Sequence, residues 1–236
     1  MVLRRKKLFQ FFHARFLFKT YLIKFLYINI MKKVCIIGAG QHGRVVENIL
    51  TQSKEFKVVG FLDDNAKSKE IIGKIDSFCE LDLKKVYFFI AIGDNNVRMS
   101  IFENIKNAGA KFVNAIHKKS FIEKSVELGI NVMVGAFSYI NINSTVRDNT
   151  IINNGCIVEH DCVIGKNCHL TPGVIAAGEV SIEDNVFIGI GSTLRDRIRI
   201  SKECVIGAQS NVVSNIDKVG VYFGSPARFI KSISKK

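Results

Sequence analysis

Residues 146–170 read VRDNTIINNGCIVEHDCVIGKNCHL, and an aliphatic residue returns in it at every sixth place: Val146, Ile152, Val158, Ile164, Leu170. Followed outward, the series begins at Ile122, passes Leu128, Val134 and Ile140, and continues through Ala176, Ile182, Ile188, Leu194, Ile200 and Ile206 to Val212. Sixteen successive positions hold with no insertion. Four places after each member stands a small or β-branched residue, among them Ser144, Thr150, Cys156, Cys162, Cys168 and Val174. A period of six matches neither the 3.6 of an amphipathic helix nor the 2 of a half-buried strand. It matches a solenoid in which each hexapeptide forms one flat side of a three-sided prism and coils stack through parallel backbone hydrogen bonds. The aliphatic residue points to the axis and the small one packs near a corner. Ile122 to Val212 makes about five such coils.

This register assigns the cysteines. Cys156, Cys162 and Cys168 look like a metal-ligand ladder, but steps of six put them on three different prism sides, where one ion cannot gather them. Cys204 stacks two coils above Cys168, too far for a disulfide. The expectation is small core residues, with no metal site.

Ahead of the repeat the pattern is α/β. Val34-Cys35-Ile36-Ile37 suits a buried parallel strand and runs into Gly38-Ala39-Gly40-Gln41-His42-Gly43, then a helical stretch from Arg44 to Leu50. A G-x-G-x-x-G turn lets a phosphate approach backbone N–H groups at a helix N-terminus. His42, inside the turn, either caps the helix or touches a ligand. A second strand, Lys57 to Leu62, ends in Asp63-Asp64, where an acid can accept from a ribose or a base. A third, Val86 to Ile92, enters Gly93-Asp94-Asn95-Asn96 and a helix to about Asn107, and Lys111 to Ile116 reads as a fourth. This segment is little more than half of a full dinucleotide fold, so a nucleotide or nucleotide-sugar suits it better than a nicotinamide cofactor. The chain therefore divides into a Rossmann-like nucleotide-sugar-binding unit at 31–117, a prism at 118–215 and a C-terminal tail at 216–236.

Hydrophobic residues make up 47% of the 236 and charged residues 23%, an ordinary globular balance. The net charge is +13, but residues 1–30 carry seven basic side chains and no acid, leaving +6 for the rest, so no nucleic-acid-binding body is indicated. That leader lacks the apolar core and cleavage site of a signal peptide. It reads as a disordered or untranslated extension before Met31, with a basic aromatic helix on a membrane surface as the alternative. No uncharged apolar run nears the ~18 residues of a membrane span. Six cysteines in a chain of this length fit a reduced, cytoplasmic protein.

Glu159-His160-Asp161 interrupts the bland repeat. Imidazole ordinarily titrates near neutrality, as a general base requires, and Asp161 beside His160 can orient the ring. His169, nine residues on, is expected to approach the same side of a cleft. Cys162 is a poor nucleophile candidate because its register turns it inward.

The glycine-rich start, Leu62-Asp63-Asp64, Ala91-Ile92-Gly93-Asp94-Asn95, Glu159 to Gly165 and the exit Gly224-Ser225-Pro226-Ala227-Arg228 occur in this order in one group. Over Met31 to Ile230 the chain resembles the bacterial hexapeptide-repeat sugar acetyltransferases. These include the UDP-4-amino-sugar N-acetyltransferase of bacillosamine synthesis and the sialic acid O-acetyltransferases. The resemblance implies a left-handed winding of the parallel β-helix and acetyl-CoA as co-substrate. It implies His160 as proton acceptor with Asp161 as its partner, a place where the bacillosamine enzyme has Glu. His169, Ile190 and the backbone near Ala208 would line the acetyl-CoA site, with Gly in the family at the last position. Gly40, Gln41, His42, Asp63, Asp64 and Gly93 would hold the uridine nucleotide. A homotrimer with coenzyme between neighbouring prisms is implied as well. The leading expectation is N-acetylation of a UDP-linked amino sugar for a surface glycan. Beside it stand O-acetylation of a sialic-acid-type sugar, a non-catalytic nucleotide-binding scaffold, and an oxidoreductase for which no hydride-transfer residues are visible. The donor that would stabilise a tetrahedral oxyanion is not identified.

Overall fold

The computed structural model describes residues 31–65 and 69–233, so the expectations for the 1–30 leader lie outside the described residues. The chain opens with β1 (Lys32–Ile37), α1 (Gln41–Gln52), β2 (Phe56–Leu62), β3 (Ile71–Gly73), β4 (Val86–Ile90), α2 (Asn95–Asn107) and β5 (Lys111–Phe112). Its strands form one parallel sheet in the order β3-β2-β1-β4-β5. The central strand, β1, is apolar on both sides because both are covered. Val34 and Ile36 pack with Val46, Ile49 and Leu50 of α1, while Cys35 and Ile37 share a core with Phe102 and Ile105 of α2. Strand order reverses between β1 and β4, which opens a crevice at their carboxyl ends.

Two local expectations are corrected. The short strand β3 gave no signal in the sequence. The stretch Lys111 to Ile116, read as one strand, divides: Lys111–Phe112 pairs with β4, whereas Ala115–Ile116 pairs with Met133–Val134 of the prism. Asn114 makes the break. Its side-chain amide donates to the Gly129 carbonyl and its Oδ1 accepts from Val132 N, which commits the chain to the next layer.

From there the chain winds into three parallel sheets of two-residue rungs, each paired with the rung 18 residues away, as Ile151 with His169 and Ile152 with Leu170. The second residue of nearly every rung is the aliphatic of the six-residue series, and these side chains fill one continuous core from Val132 to Ile216. Cys156, Cys162, Cys168 and Cys204 are buried in that core and unpaired. The three residues 156, 162 and 168 occupy successive corners. The six-stranded sheet carries Tyr139–Ile140, Ile157–Val158 and Ile175–Ala176, and the next in chain order carries Thr145–Val146, Val163–Ile164 and Ser181–Ile182. The eight-stranded sheet faces the α/β layer: Met133 and Ile151 project from it into the core under α1. Val221–Phe223 extends this last sheet, and Arg228–Lys231 closes it antiparallel.

Each corner turns on a residue with left-handed φ, recurring every six places from Asn131 to Gln209. Asparagine tolerates that conformation and glycine adopts it without strain, which explains Asn131, Asn143, Asn149, Gly155, Asn167, Gly173, Asn185 and Gly191. At one corner the asparagines stack 18 residues apart. Asn131 donates to Asn149 at 2.6 Å, Asn149 to Asn167 at 2.7 Å and Asn167 to Asn185 at 2.7 Å. The bottom of this ladder accepts from Ile90 N at the end of β4 and so joins the two layers. Among the described residues no helix is long and apolar enough to cross a membrane.

Candidate active site

Candidate functional residues gather in two separate places. The first is the crevice between β1 and β4. Gly38 (φ 96°) and Gly43 are required by the fold, since a Cβ at Gly43 would overlap the Gly38 carbonyl oxygen and hold α1 off the sheet. Gly40 and Gly93 are different: neither has a left-handed φ, and a Cβ at either would meet nothing within 4 Å. Their bare backbone faces open space beyond the adjacent strands β1 and β4: Gly40 is the N-cap of α1, where an anion is favoured, and Gly93 precedes Asp94, the N-cap of α2. Gln41 is exposed beside them. Asp63 is occupied with structure: Oδ2 accepts from Ala39 N at 2.7 Å and Oδ1 from Asn65 N at 2.8 Å, which fixes the glycine turn against the end of β2. Asp64 accepts from Ile75 N.

His42 and His169 meet at the inner end of this crevice, ring centroids 6.4 Å apart. His169 Nδ1 lies 3.4 Å from the Gly93 carbonyl and Nε2 lies 3.4 Å from the Asn153 amide, a pattern served by a neutral ring protonated at Nδ1. Burial, and after it the positive charge of Arg98, hold both imidazoles down at about 4. Among the described residues, His42 Nε2 is buried without a hydrogen-bond partner, an atom that a ligand in the crevice could satisfy.

The second place is the corner after Ile157–Val158. His160 Nδ1 is 2.9 Å from Asp161 Oδ2, so the adjacent side chains converge. They do so because Asp161 is the left-handed turn residue (φ 58°), which swings its carboxylate back over the preceding ring. Asn143, one coil below, donates to Asp161 Oδ1 at 3.1 Å. These hydrogen bonds, that from His160 first, hold the Asp161 carboxyl below its usual range. A neutral ring that donates Nδ1–H to this carboxylate keeps a lone pair on Nε2. One coil above, the ring rests against Gly178, where a Cβ would stand 2.7 Å from both Cε1 and Nε2. Both side chains of the pair are 48% exposed, so in one chain the corner is open to water.

The expectation that His160 and His169 approach one cleft is corrected. Nine residues are half of an 18-residue coil, so the two lie across the prism. His169 sits on the sheet that faces the α/β layer, and His160 on the corner between the other two sheets. Ile190, 54% exposed, and Ala208, also exposed, stack at a third location, the corner leaving the eight-stranded sheet. The structure thus groups Gly40, His42, Gly93 and His169 in one crevice, pairs His160 with Asp161, and leaves Ile190 and Ala208 apart from both. Gly178 and Asn143 escaped the sequence reading, though each stands 18 residues from a named residue. Arg98 had no such signal.

The family model of the PglD N-terminal domain matches residues 33–105. The acetyltransferase domain of PglB from Neisseria gonorrhoeae, solved with acetyl coenzyme A, superposes with a TM-score of 0.82 at 27% identity, covering 85% of this chain and 100% of that one. PerB from Caulobacter crescentus, solved with CoA and GDP-perosamine, gives 0.80 at 32% identity, covering 84% and 97%. The GDP-perosamine N-acetyltransferase of Escherichia coli O157:H7 is 28% identical over 183 residues, 73% of this chain and 82% of the relative. Similarity at this level over nearly the whole of PerB, together with the prism, the crevice and the His–Asp corner, leads to one conclusion: the chain belongs to the bacterial hexapeptide-repeat acetyltransferases, the family of nucleotide-sugar and bacillosamine-pathway enzymes.

Proposed function

We propose that the protein transfers an acetyl group from acetyl-CoA to the amine of a nucleotide-linked amino sugar, with His160 as general base. The observation that carries this reading is the His160–Asp161 contact of 2.9 Å on an open prism corner, in a chain whose other layer offers a bare-backbone crevice for a nucleotide. Relatives that act on GDP-perosamine support a nucleoside diphosphate, and UDP and GDP are the two bases to compare.

In this mechanism the neutral sugar amine attacks the thioester carbonyl. Its proton passes to Nε2 of His160 while Asp161, bonded to Nδ1, stabilises the imidazolium that forms. The tetrahedral intermediate then collapses to the amide, and the CoA thiolate leaves and is protonated. A positioned base of this kind contributes about 10²–10⁴-fold. The crevice would hold the nucleotide through Gly40, Gln41, His42 and Gly93, with Asp63 and Asp64 shaping its far wall. The exposed corner at Ile190 and Ala208 would take the coenzyme.

One chain separates these three places, so a second copy completes the site: His160 of one prism meets the crevice and the Ile190 corner of a neighbour. A homotrimer does this by symmetry, since one contact is repeated around a closed ring. A reaction that uses acetyl-CoA and a nucleotide sugar belongs in the cytoplasm.

The test is a set of incubations of the protein and acetyl-CoA with a UDP-linked amino sugar, a GDP-linked amino sugar and sialic acid, read by mass spectrometry. A gain of one acetyl group on an amino-sugar nucleotide is the expected result. Acetylated sialic acid alone, or no product with any acceptor, overturns the reading.

A further inference from the structure

Arg98, on α2, is wholly buried, yet no carboxylate lies within ion-pair distance of it among the described residues. Its guanidinium is instead enclosed by oxygens from both layers. From the α/β side come the Ile92 carbonyl (3.0 Å), the Gly93 carbonyl (3.2 Å) and Asn95 Oδ1 (2.8 Å). From the prism come the carbonyls of Asn149 (3.1 Å), Asn167 (3.1 Å) and Cys168 (3.3 Å). Burial pulls the guanidinium down to about 10, which leaves it charged.

Taking a charge out of water is expensive, and apolar packing often gives equal or greater stability at such a site. What a planar fork of five donors adds is direction. The loop it grips is Gly93 to Asn95, and the same loop is tied twice more: Asn95 Nδ2 donates to the Val186 carbonyl and Asn167 Nδ2 to the Asn95 carbonyl. The Gly93 carbonyl is shared between Arg98 and His169. The loop that borders the open crevice is therefore fixed to the prism through Arg98.

We propose that Arg98 is a positioning residue for the nucleotide: by clamping the Gly93–Asn95 loop onto the prism backbone it sets the shape of the crevice and its placement relative to the acyl-transfer corner. The inference rests on reading that crevice as the nucleotide site. It separates the two substrates, because among the described residues no hydrogen bond of this clamp reaches the exposed corner at Ile190 and Ala208.

The experiment measures binding of UDP, GDP and CoA by calorimetry to the full-length wild type, Arg98→Met and Arg98→Lys, with steady-state kinetics alongside. Arg98→Met is expected to weaken the bound nucleotide about tenfold or more, the loss of roughly one charge-assisted hydrogen bond. KM for the sugar nucleotide should rise in step, while CoA affinity and KM for acetyl-CoA stay within about twofold of wild type. Arg98→Lys, which keeps the charge and part of the donor set, should recover some of the loss. If Arg98→Met does not fold, Asn95→Ala loosens the same loop with the arginine retained and should shift nucleotide binding alone, in the same direction. Nucleotide affinity unchanged in the folded variants, or nucleotide and CoA affinity falling together, overturns the inference while the function stands. A wild type that binds neither UDP nor GDP overturns the nucleotide reading of the crevice, and the inference with it.

Discussion

The contact between His160 and Asp161 is a by-product of the turn that builds the prism. The third residue after each aliphatic from Leu128 to Ile206 adopts left-handed φ, and at this corner that residue is an aspartate instead of the usual asparagine or glycine. The same backbone that bends the coil also orients the imidazole. Replacing His160 with Ala should lower kcat by about 10²–10⁴-fold with an unchanged circular dichroism spectrum. Retained turnover would remove it from the base role. Gly178→Ala places a methyl group where the ring now lies and should displace it, lowering kcat by about 10²-fold with little change in Tm, as expected when a reacting group moves by about an ångström. A kcat equal to wild type in that variant would show that the ring is not held there. The cysteines give an independent check at this scale. Burial pushes Cys35 and Cys168 up to about 12 and Cys156 and Cys162 up to about 11, Cys204 is buried as well, and Cys79 is exposed. A thiol reagent should modify one of the six quickly in the native protein and all six in denaturant. Fast reaction of several would place the cysteines outside the core.

Among the elements, the asparagine ladder and the glycine turn carry the most risk to the fold. Asn167→Ala removes both a donor to Asn185 and an acceptor for Asn149 in a buried stack, and should cost about 1–3 kcal/mol in denaturant unfolding. A change within about 0.5 kcal/mol would mean that the ladder is not a stabilising element. The prism was legible because its core residues repeat with one phase from Ile122 to Val212, and so, apart from β3, was the order of the main strands and helices ahead of it. Strand β3 was not legible, because three residues carry no periodicity. The break at Asn114 was hidden because the hydrogen bonds that cause it come from Gly129 and Val132, distant in sequence. The candidate site was half legible. His160 and Asp161 stand out as polar residues in an apolar repeat, whereas the opposed positions of His160 and His169 follow from a phase of nine in eighteen that was read as proximity. Arg98 escaped because a buried arginine in a helix looks like any surface arginine until both layers are in place.

Across the whole molecule, the seam between the layers is expected to be an acid-sensitive joint. His42 and His169, held down at about 4, take up protons more readily when unfolded, where imidazole titrates near 6.5. The unfolded chain therefore binds more protons below pH 6.5, so stability is full above that value and falls as the pH drops toward 4. The two together should cost on the order of a few kcal/mol, seen as a Tm that is level near neutrality and declines below pH 6.5. His169→Gln should flatten the decline; a wild-type Tm that stays level down to pH 4 would contradict the burial of both rings. If the proposed function holds, His160 and the crevice, on opposite sides of one prism, form a working site only between copies. Co-expressed His160→Ala and Gly93→Phe chains test it, the first lacking the base and the second filling the open crevice. Each is inactive alone, and the mixture should regain about one quarter of wild-type turnover, the share of contacts that pair two intact halves in random assembly. A mixture as inactive as its parents would contradict the account.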